Sequence, residues 1–428
     1  MEMLKIHNFR SRFTNILQYS QNRLLTVCRV CFCLYFRLKK KAMENEFGYE
    51  RICRCALNLA LGYKPAIAAA LIDHLGSAAD VMKLDREELE DILGPFSVED
   101  KLTDRDGLLE KAEKELREAA RYGAVFLHAG DAAYPALLRE CEDAPIGFYC
   151  RSCSAPEDIF ARRPFISIVG TRDISLYGRE WCERLVSSLS SVSPAPCVVS
   201  GLALGTDVCA HLRALDLGLP TIAVMATGID SIYPAQHRNI AMRIASTPGC
   251  ALISDYPCGT APLKNNFIRR NRIIAGLSSA TLLIESKIKG GGMMTARLAF
   301  SYDREVYALP GRIDDLRSQG CNYLIKGNMA EAVTDCGSFL DSLGLTRGRE
   351  GFRECRERRM EAVLDGKLAG SSEDVATILL LVKRNRGIDL DELVRRSGLE
   401  YKRVSALVTA LEEEGIIGID LLRRCRIL

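Results

Sequence analysis

Pro164-Phe165-Ile166-Ser167-Ile168-Val169-Gly170-Thr171-Arg172 reads as a buried strand that stops at a glycine turn and is followed by a cation. A short, nearly continuous apolar run bounded by turn residues suits a strand covered on both faces. The unit recurs outward along the chain. Cys197–Val199, Thr221–Met225, Ala251–Ile253, Ala280–Ile284 and Glu305–Ala308 are further runs of this kind, and Val125–Leu127 is a shorter one upstream. Helical stretches separate the later runs: Gly178–Leu189, Thr206–Leu217, Ala235–Ile244, Phe267–Leu277 and Met294–Tyr302. This alternation predicts an α/β fold with a doubly wound, mostly parallel sheet over residues 121–343. In such sheets a ligand sits beyond the carboxyl ends of the strands.

The flanks read differently. Residues 43–120 carry helical patterning: Ile52, Leu57, Leu59 and Leu61 lead to Gly62-Tyr63-Lys64-Pro65, and Pro65 suits the first turn of a new helix. Asp85 with Glu88 forms a capping-box pattern before Leu89 and Ile92. The order fits a small helical module of the sterile-alpha-motif or helix-hairpin-helix kind. Lys64 stands where such hairpins favour a small residue, so DNA binding and plain packing both remain open for it. Residues 344–371 are charged and glycine-dotted, as in a linker. Residues 372–428 then predict helices at Val375–Lys383, Leu390–Arg396 and Tyr401–Glu414 and a hairpin over 416–427, which is winged-helix order. The third helix opens on Lys402 and Arg403 but closes on Glu412-Glu413-Glu414, which supplies few basic groups for major-groove reading, and a protein-contact or DNA-auxiliary role is equally open.

The chain has 428 residues and a formal charge of +3. Residues 1–42 hold nine Lys or Arg and one Glu; without them the balance is 49 basic against 54 acidic, a net of −5. Global charge thus gives no case for nucleic acid, and any anion site must be a local patch. The leader 1–42 has no regular period and directly precedes Met43, so Met43 is the expected native start. Its apolar run, 24–36, is too short to span a bilayer, and no membrane association is expected. The seventeen cysteines are scattered, which fits reduced thiols in a cytoplasmic protein. Cys28/Cys31/Cys33 and Cys150/Cys153 contain C-x-x-C spacings but lack histidine at ligand spacing, so no metal site is expected.

Four loops at predicted strand ends carry the chemistry. Gly170-Thr171-Arg172 aims an arginine at the ligand edge. Ser200-Gly201-Leu202-Ala203-Leu204-Gly205-Thr206-Asp207 frees the backbone to approach a phosphate at a helix N-terminus. It is not Gly-x-Gly-x-x-Gly, so no redox cofactor is expected. Thr227–Pro234 includes Tyr233, placed equally well to stack on a base or to pack. Lys289-Gly290-Gly291-Gly292-Met293-Met294-Thr295 opens another helix with consecutive glycines. Ahead of the fourth loop runs Asn265-Asn266-Phe267-Ile268-Arg269-Arg270-Asn271-Arg272. No acid lies between Asp255 and Glu285, whereas Lys264, Arg269, Arg270 and Arg272 do, a local charge of +4. Arginine forks match phosphate, and Phe267 offers a face for a base. Arg270 shares the helical face of Ile273 and Ile274, so it needs a carboxylate or a bound anion as partner. Acid–base groups are sparse: His211 and His237 fall on helices, and neither a Ser-His-Asp order nor a P-loop is present. Binding without catalysis is the expectation.

These motifs, taken in order, resemble the DNA-processing protein A family (DprA, also called Smf). The resemblance runs from about Asp131 to Ala330. It joins Ile168-Val169-Gly170-Thr171-Arg172, Ser200-Gly201-x-Ala203-x-Gly205-x-Asp207, Gly228–Pro234 and Phe267-x-x-Arg270-Asn271-Arg272-x-Ile274-x-Gly276. Thr295-Ala296, Pro310-Gly311 and Ser318-x-Gly320-Cys321-Asn322 continue it. It implies an extended Rossmann-like core that binds single-stranded DNA, and help in loading the RecA recombinase during natural transformation, through a homodimer. By residue it implies strand contacts from Arg172, Phe267, Arg270 and Arg272 in one pocket. Gly201, Gly205 and the Gly290–Thr295 loop would shape that pocket, with Gly170, Lys264, Arg269, Asn271, Gly291, Gly292 and Thr295 in the same DNA-binding set. A rival class is the lysine-decarboxylase-like phosphoribohydrolases. Their Pro-Gly-Gly-x-Gly-Thr-x-x-Glu loop would require a Glu where Thr295 is followed by Ala296-Arg297-Leu298. A winged-helix binder of duplex DNA is the third reading.

Overall fold

The computed structural model describes residues 47–93, 102, 104–160, 163–345, 372–385, 388–413, 417–419 and 424–427. The expected leader 1–42 with Met43, and most of the expected linker 344–371, lie outside them. The chain divides into two compact units, one ending at Thr346 and the other beginning at Arg347.

Among the described residues the first unit begins with helices α1 (Tyr49–Leu61), α2 (Pro65–Leu75), α3 (Ala78–Val81), α4 (Arg86–Leu93) and α5 (Arg105–Arg121). Pro65 begins α2, where its missing N–H is no loss. The capping box forms in both directions: the Glu88 amide donates to Asp85 Oδ1 at 2.9 Å, and the Asp85 amide donates to Glu88 Oε2 at 2.8 Å. The apolar side of these helices does not close on itself. Ile52, Leu57 and Leu116 share one core with Phe126, Tyr149 and Leu252 of the sheet. The boundary expected near residue 120 therefore falls inside a single compact unit.

Among the described residues the sheet has nine strands: β1 (Ala124–His128), β2 (Gly147–Arg151), β3 (Phe165–Val169), β4 (Cys197–Ser200), β5 (Thr221–Val224), β6 (Ala251–Ser254), β7 (Ala280–Leu283), β8 (Glu305–Ala308) and β9 (Glu331–Ala332). Their order is β1-β2-β6-β5-β4-β3-β7-β8-β9. From β6 to β9 neighbours are parallel; β1 and β2 extend the sheet antiparallel. Covering helices are α6 (Ala136–Arg139), α7 (Pro156–Ile159), α8 (Leu176–Leu189), α9 (Thr206–Asp216), α10 (Arg238–Ser246), α11 (Lys264–Leu277), α12 (Gly291–Ser301), α13 (Gln319–Lys326) and α14 (Cys336–Ser342). Alternation along β3 feeds both layers. Ile166 and Ile168 pack with Leu185 of α8 and Ala210 of α9, while Phe165 and Val169 pack with Ile273 of α11 and Met293 of α12.

The chain leaves β3 through β4, β5 and β6, then crosses back by α11 to β7 on the opposite side of β3. That reversal opens a crevice at the carboxyl ends of the strands. The Arg172 loop follows β3 directly; α9 starts six residues beyond the end of β4, α12 eight beyond β7 and α11 ten beyond β6.

The second unit is built from α15 (Ser372–Arg384), β10 (Ile388–Asp389), α16 (Leu390–Ser397), α17 (Tyr401–Glu413), β11 (Ile417–Ile419) and β12 (Arg424–Ile427), with antiparallel strand order β10-β12-β11. Ile378, Leu393, Leu407 and Ile417 centre its core. Asp389 Oδ1 caps α16 by accepting from the Glu392 amide at 2.7 Å. Lys402 and Arg403, which open α17 together, are both exposed, and Arg403 is paired with Asp374. Among the described residues no helix is long and apolar enough to cross a membrane.

Candidate nucleic-acid interface

Glycines bring the strand-end loops together. A Cβ on Gly170 would stand 2.5 Å from Thr206 Oγ1 and 3.0 Å from the Glu285 carbonyl oxygen, and one on Gly292 would stand 3.0 Å from Gly170 Cα. Gly205 holds φ +75°, a conformation that strains a side chain, and lies against the Thr171 carbonyl. A Cβ on Gly201 would meet the Arg270 guanidinium at 2.6 Å. The space expected to cradle a phosphate at Gly201 and Gly205 is thus lined closely by the protein's own loops. Gly291 differs: nothing lies within 4 Å of its Cβ position. Thr295 is buried in α12.

Around these loops an aromatic and cationic ladder faces outward. The Arg172 guanidinium lies over the Phe267 ring, 5.4 Å from its centroid. Tyr233 approaches the same ring edge-on, with centroids 5.4 Å apart and planes at 63°. Three separate segments therefore converge: the turn after β3, the loop after β5 and the second turn of α11. Arg172 is exposed, Tyr233 is 45% exposed and Phe267 is half-buried between them. Lys264 is exposed in the first turn of α11, which contains no acid, and Asn271 lies half-buried one turn below Phe267. The ion pairs among the described residues include neither Arg172 nor Lys264.

Arg270 lies beneath this ladder, 3% exposed. Its Nη1 donates to the Gly201 carbonyl at 2.8 Å and to the Val224 carbonyl. Asp207 stands beside it, held by the Ala203 amide at 3.3 Å. Burial pushes the Asp207 carboxyl up and Arg270 pulls it back; burial lowers the Arg270 pKa and Asp207 supports its charge. Below them His211 Nδ1 meets Thr221 Oγ1 at 2.8 Å. Burial, then Arg270 and His237, depress the His211 pKa to about 3, so its ring is neutral. His237 Nδ1 lies 2.8 Å from the Leu202 carbonyl, to which it donates.

Arg272 departs from the expected common pocket. It is 6% exposed, with Nη2 2.5 Å from Asp255 Oδ2 and Nη1 donating to the Asp143 carbonyl. The reason is angular. At about 100° per residue Arg272 stands roughly 140° around α11 from Phe267. Arg269 lies on that far side too, and its Nη2 donates to the Gly62 carbonyl at 2.8 Å. The stretch between Asp255 and Glu285 is free of acid in sequence only. In space Asp255 satisfies one arginine and Asp207 faces another. Sequence reasoning placed Asp207 within a motif without a role, and it left Asp255, directly after a strand, without a partner.

A family profile described as DNA recombination-mediator protein A matches residues 125–344. The chain belongs to this family. The matched region holds the sheet and every residue of the ladder; α1 to α5 and the second unit fall outside it. Protein Smf of Synechocystis sp. is 37% identical over 239 residues, 55% of this chain and 59% of that protein. Protein Smf of Escherichia coli is 36% identical over 211 residues, 49% of this chain and 54% of that protein. The chain therefore spans less than two thirds of the length of these two relatives. A structure of DNA processing protein A from Helicobacter pylori, described for its single-stranded DNA binding mode, has 27% identity and a TM-score of 0.46. It covers 52% of this chain and 97% of that one.

Proposed function

We propose that this chain binds single-stranded DNA along the Arg172–Phe267–Tyr233 ladder and breaks no bond in it. The observation that carries the reading is the convergence of an exposed arginine, an exposed tyrosine and a half-buried phenylalanine at one rim of the sheet. Stacking on aromatic rings tolerates any base, and cations alongside meet the backbone phosphates. Aromatic rings beside exposed cations suit unpaired bases, whose faces are free, better than a duplex. Arg270, Asp207, His211 and His237 act from below as positioning residues: they hold the Gly201 loop and keep the α11 turn under Phe267. Membership of a recombination-mediator family supports DNA as the ligand.

Wider roles follow from the resemblance: delivery of the strand to RecA recombinase, action as a homodimer, protection of incoming DNA in natural transformation, and a cytoplasmic location. The helices before β1 suit a sterile-alpha-motif-like module. Among the described residues the second unit orders three helices with a three-stranded antiparallel sheet, which suits a winged-helix domain behind a linker.

Fluorescence anisotropy with labelled oligo-dT tests the reading. Phe267→Ala is expected to weaken binding by about 1–3 kcal/mol, the contribution of one stacked base. Equal affinity of the wild type for duplex and single strand would overturn it.

A further inference from the structure

On the far side of α11 from Phe267 lies a second hollow of about 600 Å³. Ile268, Arg269 and Arg272 line it from α11, Met294 and Arg297 from α12, and Tyr63 from the turn between α1 and α2. Its chemistry repeats that of the ladder. Tyr63 is 41% exposed with the Lys64 ammonium over its ring, 5.4 Å from the centroid, and Ile268 and Met294 are 38% and 39% exposed, so apolar surface and a ring edged by a cation line the hollow. Arg297 is exposed and reaches across the Tyr323 ring, 6.0 Å from its centroid. The ion pairs among the described residues include neither Arg269 nor Arg297, whereas Arg272 is neutralised by Asp255. Among the described residues the one acid lining the hollow, Asp143, is half-buried and accepts from the Tyr302 hydroxyl at 2.7 Å. The hollow is therefore cationic, partly aromatic and sized for a small ligand.

Position links it to the ladder. Phe267 and Ile268 are chain neighbours, and about 100° of helix separates them. Lys264 lies one turn before both, at the rim between the two sides. A strand leaving Phe267 needs only to cross one helix, about 10 Å wide, to reach Tyr63.

We propose that this hollow is a second nucleotide subsite for the same DNA strand, with a base against Tyr63 and its phosphate between Arg269 and Arg297. The proposal rests on the single-strand reading above. It gives the helices before β1 a share in the DNA surface, through a residue anchored next to the core by the Arg269–Gly62 hydrogen bond.

The test is anisotropy with two oligo-dT lengths, roughly four and roughly sixteen nucleotides, the range of single-strand site sizes. Tyr63→Ala is expected to weaken binding of the longer strand about fivefold or more, the low end of one stacked base, and to leave the shorter strand unchanged. Arg297→Ala is expected to lower the salt slope of the longer strand by about 0.7, one phosphate's worth, while Arg297→Lys preserves it. Unchanged long-strand affinity and slope in both alanine variants, alongside a loss on both lengths in Phe267→Ala, would overturn the subsite alone. No binding by the wild type at either length would sink the ladder reading and the subsite with it.

Discussion

The two sides of α11 carry similar residues to different ends. On one side Phe267 sits between Arg172 and Tyr233 at the molecular surface, over a buried arginine that holds backbone carbonyls. On the other, Arg272 is sealed against Asp255 and the Asp143 carbonyl, and Arg269 reaches to Gly62. Arg172 and Arg272 have the same guanidinium. What separates them is desolvation: a charge taken from water requires a counter-charge and full hydrogen bonding, and one left at the surface keeps its field for a ligand. Arginine count along the stretch therefore overstates the ligand-facing charge. Of the four cations between Asp255 and Glu285, two are buried and neutralised or hydrogen-bonded within the protein.

The largest effect expected from this contrast is on folding. Arg272→Met leaves Asp255 charged, buried and unpaired, and removing one partner of a buried pair costs about 3–5 kcal/mol. Urea unfolding should show that loss, and Arg272→Met combined with Asp255→Leu should recover most of it. A loss below about 1 kcal/mol would put the pair in the range of an ordinary surface contact and erase the distinction between the two sides.

Much of this architecture is legible in sequence. Each strand from β3 to β8 announces itself as a short apolar run, because strands buried on both faces have no polar side to interrupt them. The capping pairs Asp85/Glu88 and Asp389/Glu392 are local, and local chemistry survives the absence of tertiary information. β2 escaped notice. Gly147-Phe148-Tyr149-Cys150-Arg151 earns its place by pairing antiparallel with β1 and β6, and only the assembled sheet supplies those partners. The ladder was half visible: Phe267 and Arg172 stood out by type, and Tyr233 was undecided between stacking and packing. Partners of the buried arginines were not visible, since Asp207 and Asp255 lie 63 and 17 residues from Arg270 and Arg272 and are brought together by the crossover.

The polar layer under the ladder gives a pH test of intermediate size. A histidine in the unfolded chain titrates near 6.5, whereas His211 in the fold is depressed to about 3. Between those values the unfolded chain binds the proton and the folded one does not, so stability falls as pH drops from about 6.5 toward 3 and the term is absent above that window. His128, depressed to about 4 by burial, acts in the same direction. His211→Gln is therefore expected to remove a slope of at most about 1.4 kcal/mol per pH unit and leave the His128 part. An unchanged slope would mean that the ring beneath Arg270 is not held neutral, and the layer would lose its role as a dry support.

The smallest effect should come from Lys264, which belongs to neither side. It lies exposed in an acid-free first turn, in line with Phe267 and Asn271 along α11 and one turn before Ile268. No carboxylate pairs with it among the described ion pairs, so its removal leaves no buried charge, and Lys264→Ala should change unfolding stability by less than about 0.5 kcal/mol. Its contribution is the release of a counterion from one phosphate, a drop of about 0.7 in the logarithmic salt slope of oligo-dT binding. Because it stands where a strand would pass from one side of the helix to the other, that drop should be equal for short and long oligonucleotides. A drop confined to the long strand would move Lys264 to the Tyr63 side. A drop in stability without one in slope would make it a structural residue and narrow the groove to Arg172 alone.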